Sequence, residues 1–342
     1  MINNFSGKTV LVTGACGTCG AELVRQLVDS PVEQIICLDN NETELFFILE
    51  TYRKTGKVSG YLADIRDLNS LRLRMHGVDV VIHSAAYKHV GLCEDSPNQA
   101  IQTNIQGTQN VIDAALEAGV ERVLFTSSDK AVNPTNVMGT SKLMGERLMT
   151  AAAGANGRGK TIFASTRFGN VLGSRGSVIP LFERQIAQGG PVTLTHPDMT
   201  RFVMTMEEAA ELVLRSAWIA KGGEVFVLKM PVARIADLAQ SMCEILAPEG
   251  GIEIEECGVK PGEKMYEELM NEEEVRRSFE IDDYFVVLPA FESDYAGRFP
   301  YTVGGCPPET PYSSRFEPAL SLAALTDLTR QVVNAPESNG KA

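Results

Sequence analysis

Thr126-Ser127-Ser128-Asp129-Lys130 sets hydroxyls, a carboxylate and an ammonium side by side. Such a group can hydrogen-bond a reacting oxygen, donate one proton and remove another. Adjacent strand residues point to opposite faces, so Ser128, Asp129 and Lys130 serve one site only where the chain bends. The turn formers Asn133 and Pro134 follow closely and support a bend. In a straight, solvated strand end the same residues would make a surface Asp–Lys pair of little energetic value.

A second constellation is Thr13-Gly14-Ala15-Cys16-Gly17-Thr18-Cys19-Gly20, spaced G-x-x-G-x-x-G. Glycines let a backbone turn tightly and approach a pyrophosphate, and a following helix N-terminus supplies oriented N–H groups. Such spacing also arises in strand–helix turns that bind nothing. Its position favours the dinucleotide reading, because it follows the first apolar run and opens an amphipathic stretch. Asp39-Asn40 ends the second apolar run. A carboxylate there can accept from ribose hydroxyls and repels a 2′-phosphate, and no Lys or Arg follows before Arg53, so NAD is favoured over NADP. Asp39 could also be a turn aspartate before Asn40-Asn41. Asp64-Ile65 ends the third run, where a side chain either meets an adenine edge or caps the strand. Ser84-Ala85-Ala86 ends the fourth with small residues, which suit a cofactor or tight packing.

These residues need a scaffold. Thr9–Val12, Ile35–Leu38, Val58–Ile65, Val80–Ile82, Val123–Phe125 and Ile162–Thr166 are short apolar runs separated by helix-like stretches, including Glu42–Tyr52, Leu68–Met75, Ala100–Ala118 and Ser141–Ala153. Continuous β-branched runs between helices imply a parallel sheet covered on both faces. The expected fold is α/β, a doubly wound parallel sheet (Rossmann) with a smaller interleaved C-terminal substrate-binding domain. Residues 1–173 would form the NAD-binding domain, with 224–246 returning to it; 174–333 would form mainly the substrate-binding domain; 334–342 would be a frayed tail.

Composition narrows the partners. The chain has 342 residues, 44% of them hydrophobic, and 31 Lys plus Arg against 44 Asp plus Glu, a net charge of −13. An acidic chain with no basic block argues against general nucleic-acid or anionic-membrane binding, though not against a local phosphate pocket. No apolar stretch approaches a membrane span, and the N-terminus lacks a signal-peptide pattern. The seven cysteines are scattered and odd in number, which reads as a reduced, cytoplasmic chain. Cys16-Gly17-Thr18-Cys19 has no second pair to make a zinc site.

Thr13–Gly20, His83–His89, Ser127–Ala131, Asn133–Lys142, Arg167–Ser174, Thr195–Thr205 and Lys260–Lys264 together resemble the extended short-chain dehydrogenase/reductase family. More narrowly they resemble UDP-N-acetylglucosamine 4,6-dehydratases of bacterial polysaccharide biosynthesis. The resemblance spans roughly residues 7–270. It departs from the wider family at Met138, which stands where the family's Tyr-x-x-x-Lys tyrosine belongs, four residues before Lys142. A thioether cannot titrate. The Met form resembles a branch of these dehydratases that retains the configuration at sugar C5.

The resemblance implies NAD-dependent hydride removal at C4, water elimination across C5–C6 and hydride return to C6. Ser128 would bind the C4 oxygen, Asp129 would donate to the leaving C6 hydroxyl, Lys130 would take the C5 proton, and Lys142 would bind the nicotinamide ribose. The acceptor of the O4 proton is left open between water through Ser128 and Asp129 itself. Gly14, Cys16, Gly17, Thr18, Gly20, Asp39, Asn40, Asp64, Ile65, Ser84, Ala85, Ala86 and Lys142 would hold the cofactor. Lys88, Asn170, Arg201, Lys260 and Glu263 would hold the nucleotide sugar, with Arg201 a candidate phosphate clamp. No metal is expected, and relatives suggest a homo-oligomer. Competing readings are a GDP-sugar dehydratase, a nucleotide-sugar 4-epimerase or reductase, and a non-catalytic NAD sensor.

Overall fold

The computed structural model describes residues 2–155, 161–259, 262–292, 295–303 and 305–334. The alternating runs become β1 (Thr9–Thr13), β2 (Gln34–Asp39), β3 (Val58–Leu62), β4 (Val80–His83), β5 (Arg122–Thr126) and β6 (Ile162–Arg167). The helices between and beside them are α1 (Thr18–Val28), α2 (Glu42–Tyr52), α3 (Leu68–Arg74), α4 (Val90–Asp95), α5 (Pro97–Ala100), α6 (Gly107–Ala118) and α7 (Val137–Ala155). Helix α7 begins at Val137 and not at the expected Ser141, because the Asn136 side chain accepts from Gly139 N at 2.8 Å and starts the helix early.

The large sheet runs β3-β2-β1-β4-β5-β6 in parallel, then continues through Val225–Leu228, Tyr284–Val287 and Ser278–Ile281, the last two antiparallel. Successive residues of β1 bury into opposite layers: Val10 and Val12 join one apolar cluster, and Leu11 joins the other. That is the signature of a strand covered on both faces. The chain order turns outward at β1, whose neighbours β2 and β4 lead off in opposite directions. Ligands bind at such a switch point, beyond the carboxyl ends of the strands.

Two compact units divide the chain. The first is Met1–Phe168, Ala209–Lys229 and Leu269–Pro311; the second is Gly169–Glu208, Met230–Glu268 and Tyr312–Ala342. The expected return over 224–246 is therefore revised. The helix Met206–Ile219 and the strand Val225–Leu228 supply the returning segment, and Leu269–Pro311 returns as well. Helix Ile235–Leu246 stays in the second unit, because its apolar face, Leu238, Ala239 and Met242, buries against Ile179, Phe182 and Leu325. Beyond Asn334 the expected tail lies outside the described residues. No helix among the described residues is long and apolar enough to cross a membrane.

Candidate active site

At the end of β1 the chain turns through Gly14, whose φ is +67°. A Cβ on Gly20 would lie 2.0 Å from the Gly14 carbonyl oxygen, so α1 packs on the turn only with glycine there. Gly17 N donates to Gly14 O at 3.0 Å. The N-cap of α1 is Gly17, which has no side chain to cap the helix. Asp39 closes the turn from β2: its Oδ2 accepts from Cys16 N at 2.9 Å and its Oδ1 from Asn41 N at 2.9 Å. Burial, reinforced by Asp39, pushes the Cys16 thiol well above its usual range, and burial pushes Cys19 up to about 12. Both sulfurs stay protonated at neutral pH.

The neighbouring strand ends are bound to this turn. Ser84 N and Ala85 N donate to Thr13 Oγ1 at 3.2 and 3.3 Å. Thr13 Oγ1 meets His83 Nδ1 at 2.7 Å, and His83 Nε2 meets Thr108 Oγ1 at 3.0 Å. Thr108 Oγ1 donates onward to Asn104 O, so Nε2 carries the His83 proton and Thr13 donates to Nδ1. Burial, helped by Lys142, drives the His83 pKa down to about 3 and keeps the ring neutral. Asn104 then holds the next loop, accepting from Tyr87 N at 2.8 Å and donating to Tyr87 O at 3.0 Å. Ser84, Ala85 and Ala86 are half-buried along this edge, while Lys88 and Asn40 are exposed. Asp64 is committed to Arg66, whose hydrogen bond holds its carboxyl below the usual range. Ile65 is buried in the core against Gly107, where a Cβ would come within 2.6 Å of its Cδ1.

The expected bend follows β5. Ser128 is extended, and Asp129–Ala131 coil into a single helical turn. Ser128 Oγ donates to Asp129 Oδ1 at 2.8 Å, and Lys130 Nζ donates to the same oxygen at 3.0 Å. Asp129 is 0% exposed, and among the described residues its Oδ2 has no hydrogen-bond partner. Lys130 keeps a quarter of its side chain exposed. The first turn of α7 rests on this bend, since a Cβ on Gly139 would lie 2.2 Å from Lys130 O. Lys142 Nζ donates to Thr126 O at 2.9 Å, and burial lowers its pKa from 10.5 to about 8. Met138 is buried in a small apolar cluster with Cys93 and Ala100.

Asn170, Arg201 and Glu263 lie in the second unit. Asn170 opens a short strand paired to Val203. Arg201 is 5% exposed; it donates to Thr200 O and Lys264 O at 2.8 Å, and lies 3.8 Å from carboxylate oxygens of Glu263 and Glu267. Part of its fork is spent on the protein itself, which weakens the expectation of an open phosphate clamp. Lys260 lies outside the described residues. Sequence reasoning missed Asn104, Gly139 and Glu146; the spacing of Glu146 four residues after Lys142 was the available signal for the last.

The strand order, glycine turn and acidic β2 end define a doubly wound α/β protein with a dinucleotide-type turn. The family described as polysaccharide biosynthesis protein matches residues 10–289, and the chain belongs to it. A Methanocaldococcus jannaschii chain named an uncharacterized membrane protein is 50% identical over 84% of this chain and 87% of its own. A UDP-glucose 4-epimerase of Rickettsia canadensis is 37% identical, covering 86% of this chain and 87% of its own. A UDP-N-acetylglucosamine 4,6-dehydratase (inverting) of Campylobacter jejuni is 36% identical, covering 85% and 87%. The X-ray structure of Pen from Bacillus thuringiensis superposes with a TM-score of 0.88 at 40% identity, covering 96% of this chain and 98% of that one.

Proposed function

We propose that the chain is an NAD-dependent nucleotide-sugar 4,6-dehydratase that converts UDP-N-acetylglucosamine to its 4-keto-6-deoxy product with C5 configuration retained. The observation that carries the reading is the convergence of Ser128 and Lys130 on one oxygen of a fully buried Asp129 whose other oxygen has no partner among the described residues. A buried carboxylate so placed is suited to receive and deliver a proton.

Gly14, Gly17, Gly20, the N-terminus of α1, Asp39, Ser84, Ala85 and Lys142 fit NAD, because the turn excludes a Cβ at Gly14 and Gly20 and Asp39 faces the loop. When bound, NAD supplies the hydride acceptor that oxidises C4 and later reduces C6. The residues supply the protons. Ser128 Oγ accepts the O4 proton while its own passes to Asp129 Oδ1. Asp129 then holds the proton that it gives to the leaving C6 hydroxyl, which departs as water. Lys130 takes the C5 proton and returns it to C5. No proton is left over, and Met138 is not asked to titrate. Asn170, Lys88, Lys260 and Glu263 are the candidates for holding the nucleotide sugar; Arg201 is a weaker one.

Incubation with UDP-N-acetylglucosamine and no added reductant tests the proposal. A product lighter by one water supports it, and the proton couplings at C5 read its configuration. The 4-epimerase reading has the Rickettsia relative in its favour. It predicts unchanged mass with C4 inverted, and it leaves Asp129 and Lys130 without a task. Retained cofactor with no product would favour a sensor.

A further inference from the structure

A buried charge cluster adjoins the reacting bend, and the proposed reaction does not use it. Arg167, at the end of β6, is 1% exposed. Its Nε and Nη2 donate to the two oxygens of Glu146 at 2.7 and 2.6 Å. Nη1 and Nη2 donate to the two oxygens of Glu274 at 2.8 Å each, and Nη1 also donates to Leu269 O at 3.1 Å. All five guanidinium N–H groups are thereby satisfied. Glu274 is held in turn by a reciprocal cap with Asn271.

Burying two carboxylates with one guanidinium is costly even when every bond is made. A plain strut could be built from apolar side chains, so the geometry that the cluster imposes is the informative part. Glu146 Oε1 also accepts from Ser127 Oγ at 2.5 Å. Ser127 is 3% exposed, and its hydroxyl proton is spent on Glu146. One turn earlier on α7, Lys142 Nζ donates to Thr126 O at 2.9 Å. Residues four apart on a helix share a face. Two consecutive residues at the end of β5 are therefore tied to two neighbouring positions on α7, and Arg167 locks the second tie from the adjacent strand.

We propose that Ser127, Glu146 and Arg167 are positioning residues: they clamp the end of β5 so that the chain bends after Ser127 and Ser128, Asp129 and Lys130 come to share one site. The inference rests on those three residues being the reacting groups. Ser128 Oγ must point at Asp129 while it receives the O4 proton, and the Ser127 tether fixes the peptide that carries it. Loss of the tether misaligns proton transfer without touching the surfaces that bind NAD or the sugar nucleotide.

The test compares Ser127→Ala with Ser127→Thr in the whole chain, reading kcat, KM for UDP-N-acetylglucosamine, retained NAD and Tm. The alanine variant should lose kcat by on the order of tenfold to a hundredfold, as for a reacting group displaced by a fraction of an ångström to one ångström. Its KM and NAD content should stay within about twofold of wild type, because ground-state binding is untouched. The threonine variant, which keeps the hydroxyl, should recover most of kcat. Unchanged kcat in Ser127→Ala would overturn the clamp. So would a parallel loss of kcat, KM and Tm that threonine does not rescue, which would make the contact merely structural. If the wild-type chain releases no dehydrated sugar at all, the dehydratase reading itself fails, and the clamp falls with it.

Discussion

A Cβ built on Gly14 would lie 2.7 Å from both the Cα and the nitrogen of Ala85, so the first turn and the end of β4 meet backbone against backbone. The contact joins the glycine turn to the strand end on the other side of the switch point, and it exists because Gly14 has no side chain.

Gly14→Ala should therefore cost stability and cofactor together. The φ of +67° is a left-handed conformation, worth roughly 1–2 kcal/mol against any L side chain, and the clash with Ala85 adds to it. Denaturant unfolding should show the loss, and NAD released from the denatured protein should fall towards zero. A variant that keeps both would mean that the turn does not cradle the dinucleotide.

Lys130→Ala should abolish water elimination and leave NAD bound, because the amine is lost while the glycine turn is intact. The measurement is product mass alongside cofactor content. Fully retained dehydration would remove Lys130 from the reaction.

Met138 packs with Cys93 and Ala100 in an apolar cluster. Met138→Leu, nearly volume-conserving, should cost less than about 1.5 kcal/mol and leave turnover close to wild type. Met138→Tyr should destabilise by about 1–3 kcal/mol through overpacking, and it should not raise kcat. A tyrosine variant that is both stable and faster would show that the position does take part in proton transfer.

Lys142 carries a pH signature. Its pKa falls from 10.5 to about 8 in the folded chain, equivalent to about 3 kcal/mol of penalty for a buried charge. Below pH 8 both folded and unfolded chains hold the proton, so the penalty is complete. Between about pH 8 and 10.5 the folded chain has shed the proton that the unfolded chain keeps, so the penalty shrinks as pH rises. Lys142→Met should therefore be more stable than wild type at pH 7, with the advantage fading towards pH 10. An advantage that does not change with pH would show that Lys142 is not buried as a cation.

Much of this protein is written in local pattern. Alternating apolar runs and amphipathic stretches announce a doubly wound sheet, since strand and helix periods are properties of neighbouring residues. The glycine spacing and Asp39 are legible for the same reason: turn, carboxylate and helix start lie close in the chain. Ser128, Asp129 and Lys130 are legible as a candidate trio because they are consecutive. What could not be read is which distant groups satisfy each buried charge. Arg201 looks like a free fork until Thr200 O, Lys264 O and the Glu263 and Glu267 carboxylates surround it. Arg167 looks like an ordinary strand-end arginine until Glu146 and Glu274 close on it from α7 and from a segment more than a hundred residues further on. The path of 224–246 was equally hidden, because an amphipathic helix states that it must bury one face but not against which core. Residue type and spacing set the menu of chemistry; long-range packing chose which groups face one another, since desolvation and pairing are settled only where separate segments meet.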